Sequence, residues 1–285
     1  MSVRIICDSA CDITQEQAKE WGITVLPLKI LWGGEEFLDG VTMKTGEFYE
    51  KLIETDELPT TSQLSPYDFE KAFQEVTDAG DTAVCFTISS KLSGTYQSAN
   101  IAKEEFGDNI IVVDTLNAAV GEQVIVKRAM ELRGSGKTAQ EIADIINEEK
   151  KNVKVIALID TLEYLKRSGR ISATAAMAGT VLNIKPVVAI EDGVINVLGK
   201  ARGSKNGNNK LMELVQKEGI DFKRPFLLTY AGLNEDLLQK YIKDSSSLYE
   251  GKTKELERVP LGSAIGTHVG PGAIGVAFFG ENKRS

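Results

Sequence analysis

At 285 residues the chain is long enough for one large domain or two of ordinary size, and an apolar share of 42% supports a sizeable core. The formal net charge of −8 argues against a general binder of nucleic acid or anionic membrane, which needs a basic face, and leaves room only for local basic patches. Three cysteines (Cys7, Cys11 and Cys85), no C-x-x-C spacing and a single distant histidine argue against a zinc site and a disulfide framework, and fit reduced thiols in a cytoplasmic protein.

Residues 3–7 are a short apolar run that meets an acid at once, a strand rather than a signal peptide. Thr14-Gln15-Glu16-Gln17 is a capping box opening a helix, and a second strand is expected over 25–31. Ser65-Pro66 starts a helix, with Ser as N-cap and Pro at the first helical position, which places Phe69, Phe73 and Val76 on one face. A strand over 82–88 leads to a helix over 93–106, with Tyr96, Ala99, Ala102 and Phe106 on one side. A strand over 110–113 follows, then helices over 118–133 and 138–150. The second of these opens with the capping box Thr138-Ala139-Gln140-Glu141. Strands separated by helices imply βαβ units and a mainly parallel sheet, whose ligands sit where strand ends lead into helices.

Beyond about residue 155 the texture changes. A strand is expected over 153–159, a short helix over 161–166 and a helix of small side chains over 173–182. Strands over 186–190 and 194–198 flank Glu191-Asp192-Gly193, whose Asp-Gly is a strong hairpin signal. Further strands are expected over 226–230, 254–259, 261–267 and 274–279, with a helix over 234–248 among them. The uncharged stretch 171–184 is too short and too rich in Ser, Thr and Gly to span a bilayer. The expected fold class is α/β: a parallel-sheet α/β domain over 1–155, an α+β second domain over 156–285, and a ligand between them.

Two glycine-rich motifs are decoys. Gly134-Ser135-Gly136-Lys137-Thr138 looks like the end of a P-loop, but Glu131 stands where the first glycine belongs and a helix precedes it. Gly270-Pro271-Gly272-Ala273-Ile274-Gly275 fits a dinucleotide fingerprint by letters alone, with too few residues after it for a βαβ unit. More informative are two hydroxyl-dense segments, Pro59-Thr60-Thr61-Ser62-Gln63 and Ser89-Ser90-Lys91-Leu92-Ser93-Gly94-Thr95, and the sole histidine, His268, set among small residues. Ser93 stands where a helix begins, so its hydroxyl and the free amides favour an anion. Alone it would be an ordinary N-cap, Thr60-Thr61-Ser62 a polar turn before Ser65, and His268 a structural or surface histidine. Together they form an inventory for holding an anion still. A serine hydrolase using Ser93 or Ser62, His268 and an acid such as Asp8 or Asp114 is the alternative, but no G-x-S-x-G elbow is present. A small-molecule or lipid-sensing module is a third reading. Lys200, Arg202, Lys205 and Lys210 form a basic cluster, joined by Arg170; solvated loop charge is the plain account, and docking to an acidic partner or phosphate the sharper one.

The ordered set Cys7-Asp8-Ser9-Ala10-Cys11-Asp12, Pro59-Thr60-Thr61-Ser62-Gln63, Ser90-Lys91-Leu92-Ser93-Gly94-Thr95-Tyr96, Leu165-Lys166-Arg167-Ser168-Gly169-Arg170-Ile171-Ser172, Lys185-Pro186 and Gly266-Thr267-His268-Val269-Gly270-Pro271-Gly272 resembles the DegV family of bacterial fatty-acid-binding proteins that serve fatty acid kinase. The resemblance implies a non-catalytic lipid-binding subunit with a long-chain fatty acid buried between two domains. Its carboxylate would meet Thr61, Ser62 and Ser93, with Gly94 and Thr95 at the same helix start and His268 close by. It further implies a separate kinase, related to dihydroxyacetone kinase, that phosphorylates the bound acid to an acyl-phosphate for phospholipid synthesis. Arg170 and Arg202 would face that partner, and a lipid carrier of this kind allows for transient membrane contact. No cofactor, metal or nucleic acid is implied. The energetics agree: some fifteen buried methylenes give roughly 12 kcal/mol gross, association costs remove several, and the ionised carboxylate must be fully hydrogen-bonded once buried.

Overall fold

The computed structural model describes residues 2–171 and 183–281. The first strand, β1 (Val3–Asp8), ends at a buried acid, and α1 (Gln15–Trp21) opens with the expected Thr14–Gln17 capping box. The single strand expected over 25–31 is two strands in two sheets: β2 (Thr24–Leu26) beside β1, and β3 (Lys29–Trp32) elsewhere. Pro27, lacking an N–H, interrupts the run, and the Leu28 amide donates to Ser9 Oγ at 3.0 Å instead of continuing a ladder. Then come β4 (Glu35–Leu38) and α2 (Thr45–Glu54), neither anticipated, and β5 (Thr60–Ser62), a strand where a polar turn had been the plain reading. β4, β3 and β5 form a small antiparallel sheet.

The βαβ pattern follows as expected. α3 (Pro66–Asp78) is capped by Ser65 and buries Phe69, Phe73 and Val76. β6 (Thr82–Thr87), α4 (Thr95–Lys103), β7 (Ile110–Asp114), α5 (Val120–Gly134) and α6 (Ala139–Glu149) complete this half, with Gly136 at φ +83° in the helix–helix turn that had mimicked a P-loop. β2, β1, β6 and β7 lie in that order in an all-parallel sheet.

The second half starts with β8 (Val153–Leu158) and α7 (Glu163–Arg167). The helix expected over 173–182 lies outside the described residues. β9 (Ile184–Glu191) and β10 (Val194–Arg202) form the expected hairpin; Asp192 at φ +50° and Gly193 at φ +81° supply the two positive φ angles of a twist-matched turn. The basic segment is not a loop: β10 runs through Lys200 and Arg202, and α8 (Gly203–Glu218) carries Lys205 and Lys210. β11 (Phe226–Tyr230), α9 (Asp236–Asp244), α10 (Ser246–Tyr249), β12 (Arg258–Pro260), α11 (Ser263–Val269) and β13 (Ile274–Phe279) finish the chain. The strand expected over 254–259 is thus confined to its last residues, and the one expected over 261–267 is a helix. Pro260 ends β12, and the amides of Gly262 and Ser263 turn to side-chain acceptors, which starts helical winding. The six-stranded sheet runs β10-β9-β8-β13-β11-β12, antiparallel except for β11–β12.

α5 joins the two large sheets. Val120, Val124, Ile125, Val126, Ala129 and Leu132 are all buried, on more than one face of the helix. They pack in one cluster with Ile5 and Val84 of the parallel sheet and with Val153, Val155, Leu227 and Ala277 of the mixed sheet. A helix that buries apolar side chains on more than one face belongs inside, and the partners of those side chains lie in both sheets.

Candidate functional site

A cavity lies between the two halves. One wall comes from the first half (Ala10, Leu28, Ile88, Ala118) and another from the mixed sheet (Val155, Ala157, Val188, Ile190, Ile274). Side chains as small as Ala157, Ala189, Ala273 and Gly275 keep it open, and it encloses about 1060 Å³ of non-protein space, open solvent at its mouth included.

A few polar side chains break the apolar lining, among them Thr61, Ser62, Gln63, Ser93, Arg170 and His268. Thr61 is held in β5 opposite Ile30 of β3. His268, in the last turn of α11, meets it: Thr61 Oγ1 and His268 Nε2 are 2.8 Å apart. Ser93 sits in a tight turn in which the Leu92 and Ser93 amides both donate to Ser89 O. Its hydroxyl is 2.9 Å from Thr95 Oγ1 and accepts from the Thr95 amide at 3.3 Å. Arg170 links these segments: its Nε donates to Leu92 O at 3.2 Å, one residue before Ser93, and it bears electrostatically on His268.

The structure therefore brings Thr61, Ser62, Ser93 and His268 to one cavity. Gly94 and Thr95 are not on its surface. Thr95 is fully buried behind Ser93, and Gly94 is the cap position of α4, where a Cβ would run into the Gln63 side chain. Arg170, expected to face a partner, is half-buried and lines the cavity, its guanidinium donating to the carbonyls of Leu92 and Ser168. Arg202 is exposed at the end of β10.

Comparison with known proteins places this architecture. The family model described as "Uncharacterised protein, DegV family" matches residues 2–281. A DegV domain-containing protein of Caldanaerobacter subterraneus subsp. tengcongensis is 34% identical over 97% of this chain and 98% of its own. The chain belongs to the DegV family. Among solved structures, a fatty-acid-binding DegV family protein from Thermus thermophilus superimposes with a TM-score of 0.87 at 31% identity, covering 99% of this chain and all of that one. A DegV lipid-binding protein from Thermotoga maritima gives a TM-score of 0.85 at 29% identity, over 97% of this chain and 98% of that one.

In this DegV chain the electrostatics of the cavity are set by burial. Desolvation, aided by the nearby Arg170 charge, pushes the His268 imidazole down to about 4, so it is neutral at pH 7. Its Nδ1 is buried and has no partner among the described residues. A hydrolase would need an acid on that nitrogen and a serine on the other. The geometry assembles neither: Nε2 meets a threonine, Asp8 accepts from the amides of Ala10 and Ile88, and Asp114 accepts from those of Ser90 and Leu116. Among the described residues no cluster of His, Cys, Asp or Glu could hold a metal ion, and no helix is long and apolar enough to cross a membrane.

Sequence reasoning missed Gln63 as a wall residue, although the motif containing it had been singled out; its amide donates to Ser98 Oγ at 3.1 Å. It also gave no sign of how deeply certain acids are buried. Asp8, at the end of β1, is pushed up to about 7 by burial, against two amide hydrogen bonds that favour its charge. Glu122 in α5 is held well above the usual carboxylate range by burial, and neither of its oxygens has a partner among the described residues. The helical register of α5 was the available signal, since it places Glu122, with Gln123 beside it, in a buried turn between Val120 and Val124.

Proposed function

We infer that this protein binds a long-chain fatty acid, with the acyl chain in the cavity between the two halves and the carboxylate among Thr61, Ser62, Ser93 and His268. The observation that carries this reading is the pairing of an apolar cavity with a few polar side chains on its wall: the hydroxyls of Thr61, Ser62 and Ser93, the neutral His268 in contact with Thr61, and the Arg170 guanidinium. A fatty acid has this division: a tail worth about 0.8 kcal/mol per buried methylene and a headgroup that must be hydrogen-bonded once buried. Hydroxyls and a neutral imidazole can hydrogen-bond an ionised carboxylate, and the Arg170 charge on the same wall favours the anion. The fatty-acid-binding and lipid-binding DegV relatives support the same ligand class.

On this reading the chain is a substrate carrier, not an enzyme. A separate kinase supplies ATP and metal, which do most of the positioning and charge neutralisation in phosphoryl transfer. Its product, an acyl-phosphate, feeds phospholipid synthesis in the cytoplasm. On this reading Arg202, exposed beside the N-terminus of α8, is a basic group that such a partner would meet.

Purified protein, denatured and extracted for lipid mass spectrometry, is expected to release one acyl chain per molecule. Recovery of none, together with no uptake of added oleate, would refute the reading. Incubation of loaded protein with a fatty acid kinase and ATP-Mg is expected to form acyl-phosphate. A loaded protein that the kinase ignores would favour a sensing module.

A further inference from the structure

α11 carries His268 in its last turn, yet its own sequence supplies no cap. Its N-cap residue is Gly262, which has no side chain to accept the first amides. The acceptors come from the opposite end of the chain. Asp12 Oδ1 accepts from the Gly262 amide at 2.8 Å, and Asp39 Oδ1 accepts from the Ser263 amide at 3.0 Å, across 250 and 224 residues of sequence. Both acids are buried. Asp39 is pinned in turn, because its Oδ2 accepts from Ser9 Oγ at 2.7 Å while Ser9 Oγ accepts from the Leu28 amide. Asp12 closes the turn after β1 at φ +58°, a left-handed conformation that Asp tolerates.

Close packing removes the remaining freedom. A Cβ at Gly266 would lie 2.6 Å from Phe48 Cε1 and 2.8 Å from Tyr49 Oη, so the helix backbone rests directly on α2. A Cβ at Gly270 would run into the Tyr164 ring, which fixes the exit of the helix against α7. Seven residues are too few for a helix to hold itself together. The position of His268 therefore depends on what grips the two ends of α11, and at the first turn that grip is the two aspartates.

We propose that Asp39 and Asp12 are positioning residues for the headgroup site: they seat the first turn of α11 and thereby fix where the His268 imidazole stands. Neither lines the cavity, so they act through the helix and not on the ligand. The proposal rests on the reading above that His268 meets the carboxylate.

The chain's single histidine makes the test direct, since the protein has one set of imidazole signals. In ligand-free protein, NMR of that ring reports its seat with no fatty acid present. Asp39→Ala is expected to shift and broaden the imidazole resonances and to weaken oleate binding by about tenfold or more. Asp39→Asn keeps an acceptor for the Ser263 amide but puts an NH2 group where Oδ2 accepts from Ser9 Oγ, so it is expected to restore both in part. Leu238→Ala, in the buried face of α9, is the control: it should unfold earlier yet leave ring signals and affinity unchanged. Should Asp39→Ala fail to fold, Asp12→Gly removes one acceptor at a backbone angle that glycine accepts without strain. The proposal is overturned if the folded aspartate variant keeps wild-type ring signals and affinity, or if Leu238→Ala at matched loss of stability alters them as much. If wild-type protein takes up no oleate while Asp39→Ala still moves the ring signals, the ligand assignment falls and the seating role stands.

Discussion

Thr61 and His268 are 207 residues apart in the chain, and their side chains meet at 2.8 Å. One belongs to β5 in the small antiparallel sheet and the other to α11, the helix before the last strand. Both side chains line the cavity, so a hydroxyl and an imidazole stand together on its wall.

Removing those donors should weaken binding without unfolding the protein. Ser62→Ala, Ser93→Ala or Thr61→Val each deletes one hydrogen bond to a charged acceptor, worth about 1.5–3 kcal/mol, or roughly ten- to a hundredfold in affinity. Displacement of a fluorescent fatty acid measures this. Unchanged affinity in all three variants would move the carboxylate elsewhere.

The neutral state of His268 has a pH signature. Its folded-state pKa is about 4, below the ordinary 6.5, so on acidification the unfolded chain takes up the proton first. This group's contribution to stability is therefore lost as pH falls from about 6.5 to 4, by about 3 kcal/mol at most. Asp8 acts in the opposite sense: its carboxyl is raised from 3.8 to about 7, so its contribution is fully present below pH 3.8 and disappears as pH rises through 7. Comparing urea unfolding of ligand-free wild type and His268→Gln isolates the imidazole. The variant should gain on wild type between pH 7 and pH 4.5, and parallel curves would show that the ring is not held neutral.

Glu122 gives a stability prediction. A carboxyl with no exposed surface and no partner among the described residues pays its desolvation uncompensated. Glu122→Met, of similar length and apolar, should raise stability by about 1–3 kcal/mol. Calorimetry at pH 7.5 reads the change, and a lower melting temperature would mean that Glu122 has a partner this structure does not contain.

Ala157 tests the cavity itself. It lines the cavity from β8, and a Cβ at Gly275 on the neighbouring strand would sit only 3.1 Å from its methyl group. Ala157→Leu projects three more carbons into the lumen, at a packing cost of about 1–3 kcal/mol where space is short. Lipids extracted from the variant should move toward shorter acyl chains, or the protein should emerge empty. An unchanged acyl profile would place the tail along another wall.

Much of the architecture was legible because it is written locally. Thr14, Ser65 and Thr138 each cap their helix with a partner three residues on, and Asp192-Gly193 specifies its hairpin by backbone angle alone. The hydroxyls and the histidine that share the cavity also stood out by composition. What was misread depends on distant partners. Residues 261–267 look like a strand because the acids that wind them into a helix lie more than 220 positions away. Pro27 splits a continuous apolar run because Ser9 offers Leu28 a different acceptor.

The placement of α5 has a mechanical consequence. Because its apolar surface is shared by the parallel and the mixed sheets, there is no seam along which the two could separate and each remain covered. Cutting the gene near codon 155 should yield two fragments that aggregate instead of two stable folds, and intact protein should melt in a single step. Amides of α5 such as those of Val124 and Ile125 should be among the last to exchange with deuterated solvent, since releasing them requires dismantling both halves at once.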